Sequence, residues 1–471
     1  MALQNTHYGA AEIARMLASC RSIYFIGIGG INMSSLAHLT RRAGYRTGGS
    51  DRVRSALVCR LEDEGVEIFL GHDAANLEGY DAVVYTVAVG ADNPEYLEAC
   101  RRGIPCISRS DYMGYLMTDY TVRIGISGSH GKSTCTSMCA EVLLRADKNP
   151  TVLSGAELAL MKGAYFVGGE ELFVFEACEY MDSFLDFNPT VSVLLNVELD
   201  HVDYFADLAQ MRRSFGRFAS LAGKNGFAVA NADDENVKIA LDGFEGEILD
   251  FGIQNEAARF RAMDIRENGG RYSFRVLRDG EEFCRIALSV SGYHNIYNAL
   301  ACTAVCSLCG LSGEEIARGL SAFGGASRRM EYKGELGGAA VYDDYAHHPT
   351  EIRTTLEGAK RMAKGRLFCV FQSHTYSRTH ALFDEFADAL RIADRVIVTD
   401  IYAARETDTL GVSPEGLAEK IGTHASACHG FSAAAERLAA ELREGDVAIV
   451  MGAGDVFKVF DYLDLKKGER A

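Results

Sequence analysis

The sequence predicts an α/β protein of three domains, and three observations support this prediction. Apolar strand patterns alternate with helical patterns along most of the 471 residues, an order typical of sheets covered by helices. Glycine-rich loops follow a strand in two places, after residue 26 and after residue 127. The length alone suggests roughly three domains. We place the linkers near residues 118 and 324, which gives predicted domains of 1–118, 119–323 and 324–471.

Composition and charge exclude several classes of function. The chain is 48% apolar and 24% charged, with a net charge of −17, which argues against broad binding to nucleic acids or anionic membranes. No apolar stretch approaches the roughly 20 residues of a membrane span. The first residues, MALQNTHYGAAEIARML, lack the apolar core of a signal peptide. We therefore expect a cytoplasmic protein that binds small molecules.

The cysteines predict structure rather than chemistry. The 13 cysteines form no paired framework, which suits reduced thiols. Cys302, Cys306 and Cys309 have the spacing i, i+4 and i+7, which places them on one face of an alanine-rich helix. We expect this to be a buried helix face rather than a metal cluster.

The first glycine loop lies in "SIYFIGIGGINMSSLAHLTRRAGYRTGGSD". An apolar strand, residues 23–26, runs into Gly27, Gly29 and Gly30, and a second strand ends at Asp51. This pattern resembles the dinucleotide fingerprint G-x-G-x-x-G with an acidic residue about 20 positions further on, although Asn32 stands at the third glycine. The loop predicts a diphosphate-binding site. The bound diphosphate could belong to NAD or to a nucleotide carried by a substrate, and both alternatives stay open. Residues 80–89 form a further predicted strand.

The second loop, "GISGSHGKST" (125–134), follows another predicted strand and begins a helix. Such a loop holds nucleotide phosphates with its N–H groups and the helix N-terminus. Lys132 suits a contact with the β- and γ-phosphates, and Ser133 suits magnesium. Ile126 departs from the strict pattern, and the alternative is a structural glycine turn. That alternative leaves Lys132 without a purpose.

Polar side chains follow the next two predicted strands, 171–179 and 190–201. Glu176 and His201 stand near their carboxyl ends, where open α/β sheets bind ligands. We expect both to face the metal of the phosphate loop. The alternatives are a solvated strand end for Glu176 and a satisfied polar group for His201.

Three later segments also carry candidates. Asn295 and Asn298 begin an alanine-rich helix, where Asn295 is alternatively a helix cap. "YDDYAHHPTE" (342–351) packs aspartates and histidines directly after a strand, and "FQSHTYSRT" (371–379) places an arginine suited to carboxylate capture after another. Asp279-Gly280 predicts a two-residue hairpin turn.

Taken in order, "GIGGINMSS", "GSHGKST", "VELDH", "YHNIYNALA", "RRMEYKGE", "YDDYAHHPTE", "FQSHTYSRT" and "MGAGD" resemble the Mur ligase family over essentially the whole chain. The resemblance implies a Rossmann-like UDP-binding domain, a central P-loop ATPase-like α/β domain and a C-terminal Rossmann-like domain. It also implies a bacterial cytoplasmic ligase of peptidoglycan synthesis that uses ATP and Mg²⁺. ATP would phosphorylate the lactyl carboxylate of UDP-N-acetylmuramate, and L-alanine would attack the acyl phosphate to give an amide, ADP and phosphate.

The resemblance assigns roles residue by residue. The ATP-binding residues would be Gly128, Ser129, His130, Gly131, Lys132, Ser133, Thr134, Asn295, Asn298, Arg329 and Asp344. The UDP-sugar residues would be Gly27, Gly29, Gly30, Met33, Ser34, Asp51 and His72. The amino acid would meet Tyr345, His374 and Arg378, and the magnesium ligands would be Ser133, Glu176 and His201. The expected catalytic residues are Lys132, His347, His348 and Arg378, with the base open between the two histidines.

Departures from the family pattern affect fine geometry. Cys178 stands where an acidic residue is common in the family, and Ser373 stands where proline is common. Some relatives carry a carbamylated lysine soon after the metal-binding histidine. This chain has no lysine between His201 and Lys224, so we predict no carbamylated lysine. We expect a monomer or weak homodimer.

Four alternatives stay open. A cousin that joins a preformed peptide to the same UDP-sugar shares most motifs. A folylpolyglutamate-type ligase lacks the first glycine-looped domain. A nicotinamide oxidoreductase leaves the phosphate loop unexplained, and a nucleotide-gated binding module would bind without turnover.

Overall fold

The computed structural model describes residues 3–201, 204–404, 406–407 and 410–466. Three α/β sheets follow one another along the chain, with 5, 10 and 6 strands, as the predicted fold class requires. None of the described helices is both long and apolar enough to cross a membrane. The exact domain boundaries stay a proposal.

The first sheet is parallel throughout. Its elements are α1 (Ala10–Leu17), β1 (Ser22–Ile26), α2 (Ile31–Arg42), β2 (Arg46–Asp51), α3 (Ala56–Asp63), β3 (Glu67–Leu70), β4 (Ala82–Tyr85), α4 (Pro94–Arg102), β5 (Cys106–Ser108) and α5 (Arg109–Leu116). The strand order is β3-β2-β1-β4-β5. The chain adds β2 and β3 on one side of β1 and then crosses to add β4 and β5 on the other side. The first glycine loop lies at this switch point, where doubly wound sheets bind ligands.

The central sheet combines a parallel core with an antiparallel extension. Its elements are β6 (Val122–Ser127), α6 (Lys132–Arg145), β7 (Thr151–Leu158), β8 (Gly163–Phe166), β9 (Leu172–Glu176), β10 (Val191–Leu194), α7 (Leu208–Ser220), β11 (Phe227–Asn231), α8 (Glu235–Ala240), β12 (Glu247–Gly252), β13 (Phe260–Asn268), β14 (Arg271–Arg278), β15 (Glu281–Ser291), α9 (His294–Leu308) and α10 (Gly313–Ala322). β6 lies between β9 and β10. The segments that follow these three parallel strands therefore share one edge.

The third sheet is parallel apart from its first strand. Its elements are β16 (Glu331–Leu336), β17 (Ala339–Asp344), α11 (Pro349–Met362), β18 (Leu367–Phe371), α12 (Tyr376–Ala381), α13 (Phe383–Leu390), β19 (Arg395–Val398), α14 (Pro414–Ile421), β20 (Ala425–Ala427), α15 (Phe431–Glu441) and β21 (Val447–Met451). The order is β16-β17-β21-β18-β19-β20. The loops after β17 and β18 emerge at the same edge.

The first and central domains share an apolar core, whereas the third domain does not share it. One continuous cluster runs from Ile13 in the first domain to Leu241 in the central domain and includes Tyr112 and Phe187 at their junction. The third domain has its own two clusters, one on each face of its sheet. The first two domains are therefore joined by apolar packing, and the third meets them largely through polar contacts.

Several predicted elements need correction. The strand predicted over 80–89 ends at Tyr85, because Val89 N–H donates to the Thr86 carbonyl in a turn. The strand predicted over 190–201 ends at Leu194, because the backbone of the following residues forms hydrogen bonds with side chains instead of a neighbouring strand. For example, the backbone N–H of Val197 donates to the carboxylate of Asp234. The strand predicted over 171–179 ends at Glu176.

The hairpin prediction is confirmed, since Asp279 and Gly280 have φ of 52° and 84°, as a type I′ turn requires. The predicted buried helix face is confirmed for Cys302 and Cys306 in α9, whereas Cys309 at its end is partly exposed. Cys139 of α6 lies beside Cys302 and Cys306, so the expectation that these cysteines bind no metal stays a prediction. Asn295 does not cap α9, since the helix begins at His294 after Tyr293.

Candidate active site

The phosphate loop joins β6 to α6 in a conformation that only glycine adopts readily. Gly128 and Gly131 have φ of 150° and 85°, and a Cβ at Gly131 would lie 2.7 Å from Asn298 Oδ1. Asn196 Oδ1 accepts from His130 N–H at 2.8 Å, and the Ser129 hydroxyl donates to the Glu198 carbonyl at 2.8 Å. The segment after β10 therefore holds the loop in place, and α6 begins at Lys132.

Lys132 is paired with a carboxylate that the sequence analysis did not single out. Its Nζ lies 3.0 Å from Glu179, whose side chain is fully buried. Although burial alone would lower it, the charge of Glu179 raises the pKa of Lys132. The lysine is therefore held as a cation at the loop where phosphates are expected.

The predicted magnesium ligands form one close pair and a separate third residue. The Ser133 hydroxyl donates to Glu176 Oε2 at 3.1 Å, and Glu176 Oε1 accepts from Ser154 at 3.2 Å. His201 Nε2 lies 3.8 Å from Glu179. The hydroxyl and carboxylate are the hard oxygen donors that Mg²⁺ prefers, so this pair fits the ion; the imidazole is a less typical ligand.

His130 lies between two carboxylates from different domains. Its Nε2 is 3.3 Å from Glu198, and its Nδ1 is 3.2 Å from Glu351 on α11. Burial would lower its pKa, but the two carboxylates raise the pKa of His130 to about 10. An imidazolium in the phosphate loop thus ties the third domain to the central one.

The adjacent histidines after β17 present different nitrogens. His347 Nδ1 lies 3.1 Å from the Tyr345 carbonyl, which only accepts, so this nitrogen carries the proton and Nε2 is an acceptor in the neutral ring. His348 Nδ1 accepts from Thr350 N–H at 3.4 Å, which assigns the proton to Nε2. Burial lowers the pKa of His347 to about 4, so His347 is neutral near pH 7 and able to accept a proton.

Arg378 reaches across the domain boundary. Its guanidinium lies 3.2 Å from Asp200, which is 6% exposed and directly precedes His201. His374 stacks on Tyr402 with ring centroids 5.4 Å apart and lies 6.1 Å from the ring of His347. The structure thus brings His374, Arg378 and His347 together opposite His201.

A cavity of about 980 Å³ extends from the phosphate loop between the central and third domains. It is lined by predicted ATP-binding residues that include His130, Gly131, Thr134, Asn295, Asn298, Arg329 and Asp344. Asn298 Nδ2 donates to Asn295 Oδ1 at 3.0 Å. Arg329 lies 3.4 Å from the Ser133 hydroxyl, and its guanidinium stacks over the Tyr345 ring at 5.0 Å.

The first domain has a separate cavity of about 450 Å³. The predicted UDP-sugar residues that line it are Gly27, Gly30, Met33, Asp51 and His72. Gly29 is not among them; its N–H donates to Asp51 Oδ2 at 2.9 Å, so it shapes the loop. Ser34 does not line this cavity: it is fully buried and its hydroxyl donates to the Ile31 carbonyl within α2, so its contact with the UDP-sugar stays a prediction.

His72 is positioned by Glu95, a residue that the sequence analysis missed. Glu95 is fully buried, and its Oε2 accepts from Ser50 at 2.7 Å and lies 2.9 Å from His72 Nδ1. Its Oε1 accepts from Tyr24 and Asn76. Four donors therefore satisfy one buried carboxylate, as burial of a charge requires.

The other missed residues are also carboxylates: Glu179, Glu198, Asp200 and Glu351. Each lies within three residues of a predicted site residue, and Glu198, Asp200 and Glu351 stand inside quoted motifs. A basic group placed near buried strand ends needs a counter-charge, and this requirement is the signal that could have found them.

Comparison with known proteins gives one family. The model for the Mur ligase family catalytic domain matches residues 22–121, the Mur ligase middle domain matches 126–306 and the Mur ligase glutamate ligase domain matches 328–454. The UDP-N-acetylmuramate–L-alanine ligase of Caldicellulosiruptor bescii is 42% identical over 448 residues, which cover 94% of this chain and 98% of the relative. The same-named ligase of Clostridium novyi is 43% identical over 442 residues, 93% of this chain and 96% of the relative.

Solved structures agree with the sequence relatives. The UDP-N-acetylmuramate–alanine ligase of Thermotoga maritima has a TM-score of 0.78 at 27% identity and covers 94% of this chain and 98% of its own. A murein peptide ligase from Psychrobacter arcticus has a TM-score of 0.69 at 25% identity and covers 94% of this chain and 97% of its own. Because the family models span most of the chain and the relatives match nearly its full length, the protein belongs to the Mur ligase family.

Proposed function

We propose that this protein is an ATP-dependent ligase that joins L-alanine to the lactyl carboxylate of UDP-N-acetylmuramate, with release of ADP and phosphate. The observation that carries the proposal is the arrangement of the phosphate loop beside Glu176, opposite His347 and Arg378. This arrangement supports phosphoryl transfer at the loop with an amino acid bound beside it. Relatives named UDP-N-acetylmuramate–L-alanine ligase at 42–43% identity support the choice of substrates.

The first step transfers the γ-phosphoryl group of ATP to the lactyl carboxylate. A carboxylate cannot expel oxide, whereas an acyl phosphate has a good leaving group. Lys132, kept charged by Glu179, stabilises the negative charge that spreads over the transferring group. Ser133 and Glu176 would hold Mg²⁺, which neutralises phosphate charge when bound.

The second step is attack by the amine of L-alanine on the acyl carbon. The amine attacks in its neutral form, so it must lose a proton. We assign this proton to Nε2 of His347, which is the acceptor nitrogen of a ring that is neutral near pH 7. Arg378 binds the amino acid's carboxylate as a guanidinium clamp, and His374 lines the same space.

The cytoplasm supplies both ATP and nucleotide sugars, which supports a cytoplasmic location. The oligomeric state, monomer or weak homodimer, stays a prediction.

Phosphate release tests the proposal directly. The reaction contains ATP, magnesium and UDP-N-acetylmuramate, and the amine is varied between L-alanine, glycine and an L-alanine-initiated tripeptide. We expect the highest kcat/KM with L-alanine. A preference for the tripeptide would instead support a murein peptide ligase, the activity named for the Psychrobacter arcticus structure. Absence of release with every amine would refute both.

The magnesium assignment has its own test. Glu176→Gln should raise the magnesium concentration needed for half-maximal phosphate release, because it removes the carboxylate charge next to Ser133. Glu157→Gln on β7 is a matched control on the same sheet. Overlapping magnesium titrations of E176Q and wild type would exclude Glu176 as a ligand.

A further inference from the structure

Arg109 is a partly buried cation without a partner. It is the first residue of α5, directly after β5, and its side chain lines the 450 Å³ cavity of the first domain together with the glycine loop. Among the residues that the structure describes, its guanidinium makes neither a hydrogen bond nor an ion pair. Arg109 lies in none of the quoted sequence motifs.

Among the described arginines, those without a side-chain hydrogen bond or ion pair are otherwise exposed, so the lack of a partner is unusual for one that is partly buried. Arg378 pairs with Asp200, Arg328 with Asp343, and Arg123 donates to the Tyr120 and Asn188 carbonyls. Burial lowers the pKa of Arg109, against the attraction of Cys178 and Asp186. A cation taken from water and left unpaired destabilises the fold, so packing alone does not explain the residue.

The position of Arg109 points toward the reaction centre. The helix α5 packs against the segment that follows β9 in the central domain, where Asn188 Nδ2 donates to the Gly114 carbonyl at 2.9 Å. Glu179 in the same segment lies 3.0 Å from Lys132 of the phosphate loop. Arg109, at the start of α5, therefore lies close to the junction with the central domain, where the substrate must pass from one domain to the other.

We propose that Arg109 binds an oxyanion of the UDP-sugar, either an oxygen of its diphosphate or its lactyl carboxylate. The proposal rests on the function proposed above, since that substrate carries both groups. Guanidinium pairs with phosphate and carboxylate through the same two-pronged geometry. The bound substrate would supply the counter-charge that the protein itself leaves out.

Calorimetry with three ligands tests the proposal. UDP, UDP-N-acetylglucosamine and UDP-N-acetylmuramate are titrated into wild type and Arg109→Met, with magnesium and a saturating non-hydrolysable ATP analogue present. Loss of a charge-assisted pair should weaken binding by about 10- to 100-fold. Arg109→Lys should recover part of the affinity. Arg15→Met, which removes an exposed arginine on α1, controls for the change in net charge.

The pattern across ligands identifies the group. Equal weakening for all three ligands assigns Arg109 to the diphosphate, and weakening for UDP-N-acetylmuramate alone assigns it to the lactyl carboxylate. Unchanged affinity for all three would overturn the proposal. Failure of the wild type to prefer UDP-N-acetylmuramate would instead refute the proposed function, so the two failures differ.

Thermal unfolding without UDP-sugar separates binding from structure. Because Arg109→Met removes an unpaired charge, its unfolding midpoint should equal or exceed that of wild type, and its affinity for the ATP analogue should not change. A lower midpoint with an equal loss of affinity for the ATP analogue would show a structural role and overturn the proposal.

Discussion

At the scale of single residues, the site is built from cations matched with buried carboxylates. Lys132 with Glu179, His130 with Glu198 and Glu351, and Arg378 with Asp200 all follow this rule. Removing one member leaves the other buried without a counter-charge. Mutation of a catalytic residue here therefore changes stability as well as rate.

For Lys132→Met we expect a loss of phosphate release of about 100-fold or more, because the transferring phosphoryl group loses its cation. We also expect the free energy of unfolding to fall by about 3–5 kcal/mol, because Glu179 stays buried and unpaired. Urea unfolding and a phosphate assay measure the two effects.

The double variant Lys132→Met, Glu179→Gln separates these effects. It should recover most of the stability but none of the activity, since the neutral amide needs no counter-charge. Recovery of phosphate release in the double variant would contradict the assigned role of Lys132.

His347 predicts a specific pH dependence. Its lowered pKa of about 4 means that the ring gains a proton only as pH falls through about 4, so its function as a base should persist down to pH 5. His347→Asn should lower kcat by roughly 100-fold. The pH profile of kcat with saturating substrates measures this; an acid limb near 6.5 that is absent from H347N would contradict the assignment.

At the scale of elements, the β1–α2 loop depends on a close approach between backbone and side chain. A Cβ on Gly29 would lie 2.8 Å from Asp51 Oδ2 and 2.8 Å from Val58 Cγ2. Gly29→Ala should therefore displace Asp51 and weaken UDP-sugar binding by about 10-fold, the value of one hydrogen bond.

Gly358→Ala on α11 is the matched control, because a Cβ there meets nothing within 4 Å. Calorimetry with UDP-N-acetylmuramate should give wild-type affinity for G358A. Equal affinities for G29A and wild type would show that the Gly29–Asp51 contact does not shape the site.

Strands and turns were predictable from the sequence where their own residues determine the local conformation. β1 and β21 are fully buried and largely apolar, and the Asp279-Gly280 turn needs only its own two residues. The end of β10 was not predictable, because Asn231 and Asp234 take over the backbone hydrogen bonds of the following segment. These residues are more than 30 positions away in sequence.

The site was predictable in its basic residues and less so in its acidic ones. Lys132, His347 and Arg378 stand in recognisable sequence motifs, whereas Glu95 and Glu179 gain their importance only from burial. The direction of a side chain was also not predictable: the position of Ser34 on α2 suits the UDP-sugar site, but its hydroxyl turns toward its own helix.

At the scale of the whole molecule, the two interfaces between domains differ in polarity. Apolar packing makes the first and central domains one core. The third domain has separate cores and reaches the phosphate loop through His130–Glu351 and Arg378–Asp200. Ion pairs can be exchanged for contacts with charged ligands, whereas a shared apolar core cannot be opened without exposing it to water. We therefore expect the third domain to be the one that moves.

We expect the radius of gyration to fall when an ATP analogue and UDP-N-acetylmuramate bind together. Attack by the amine requires an approach to within about 3–3.5 Å of the acyl carbon, and water must be excluded from the acyl phosphate. Small-angle scattering with each ligand alone and with both measures the change. A radius that stays constant under saturating ligands would contradict closure.

The Arg378–Asp200 pair also affects how strongly the amino acid binds. While its guanidinium is engaged with Asp200, Arg378 is not free to accept a second carboxylate in the same geometry. If only a fraction of molecules has the pair open, the apparent dissociation constant for L-alanine equals the intrinsic constant divided by that fraction. The same internal partner would discriminate against weak competitors, because each amino acid must recover the free energy of opening the pair from its own contacts.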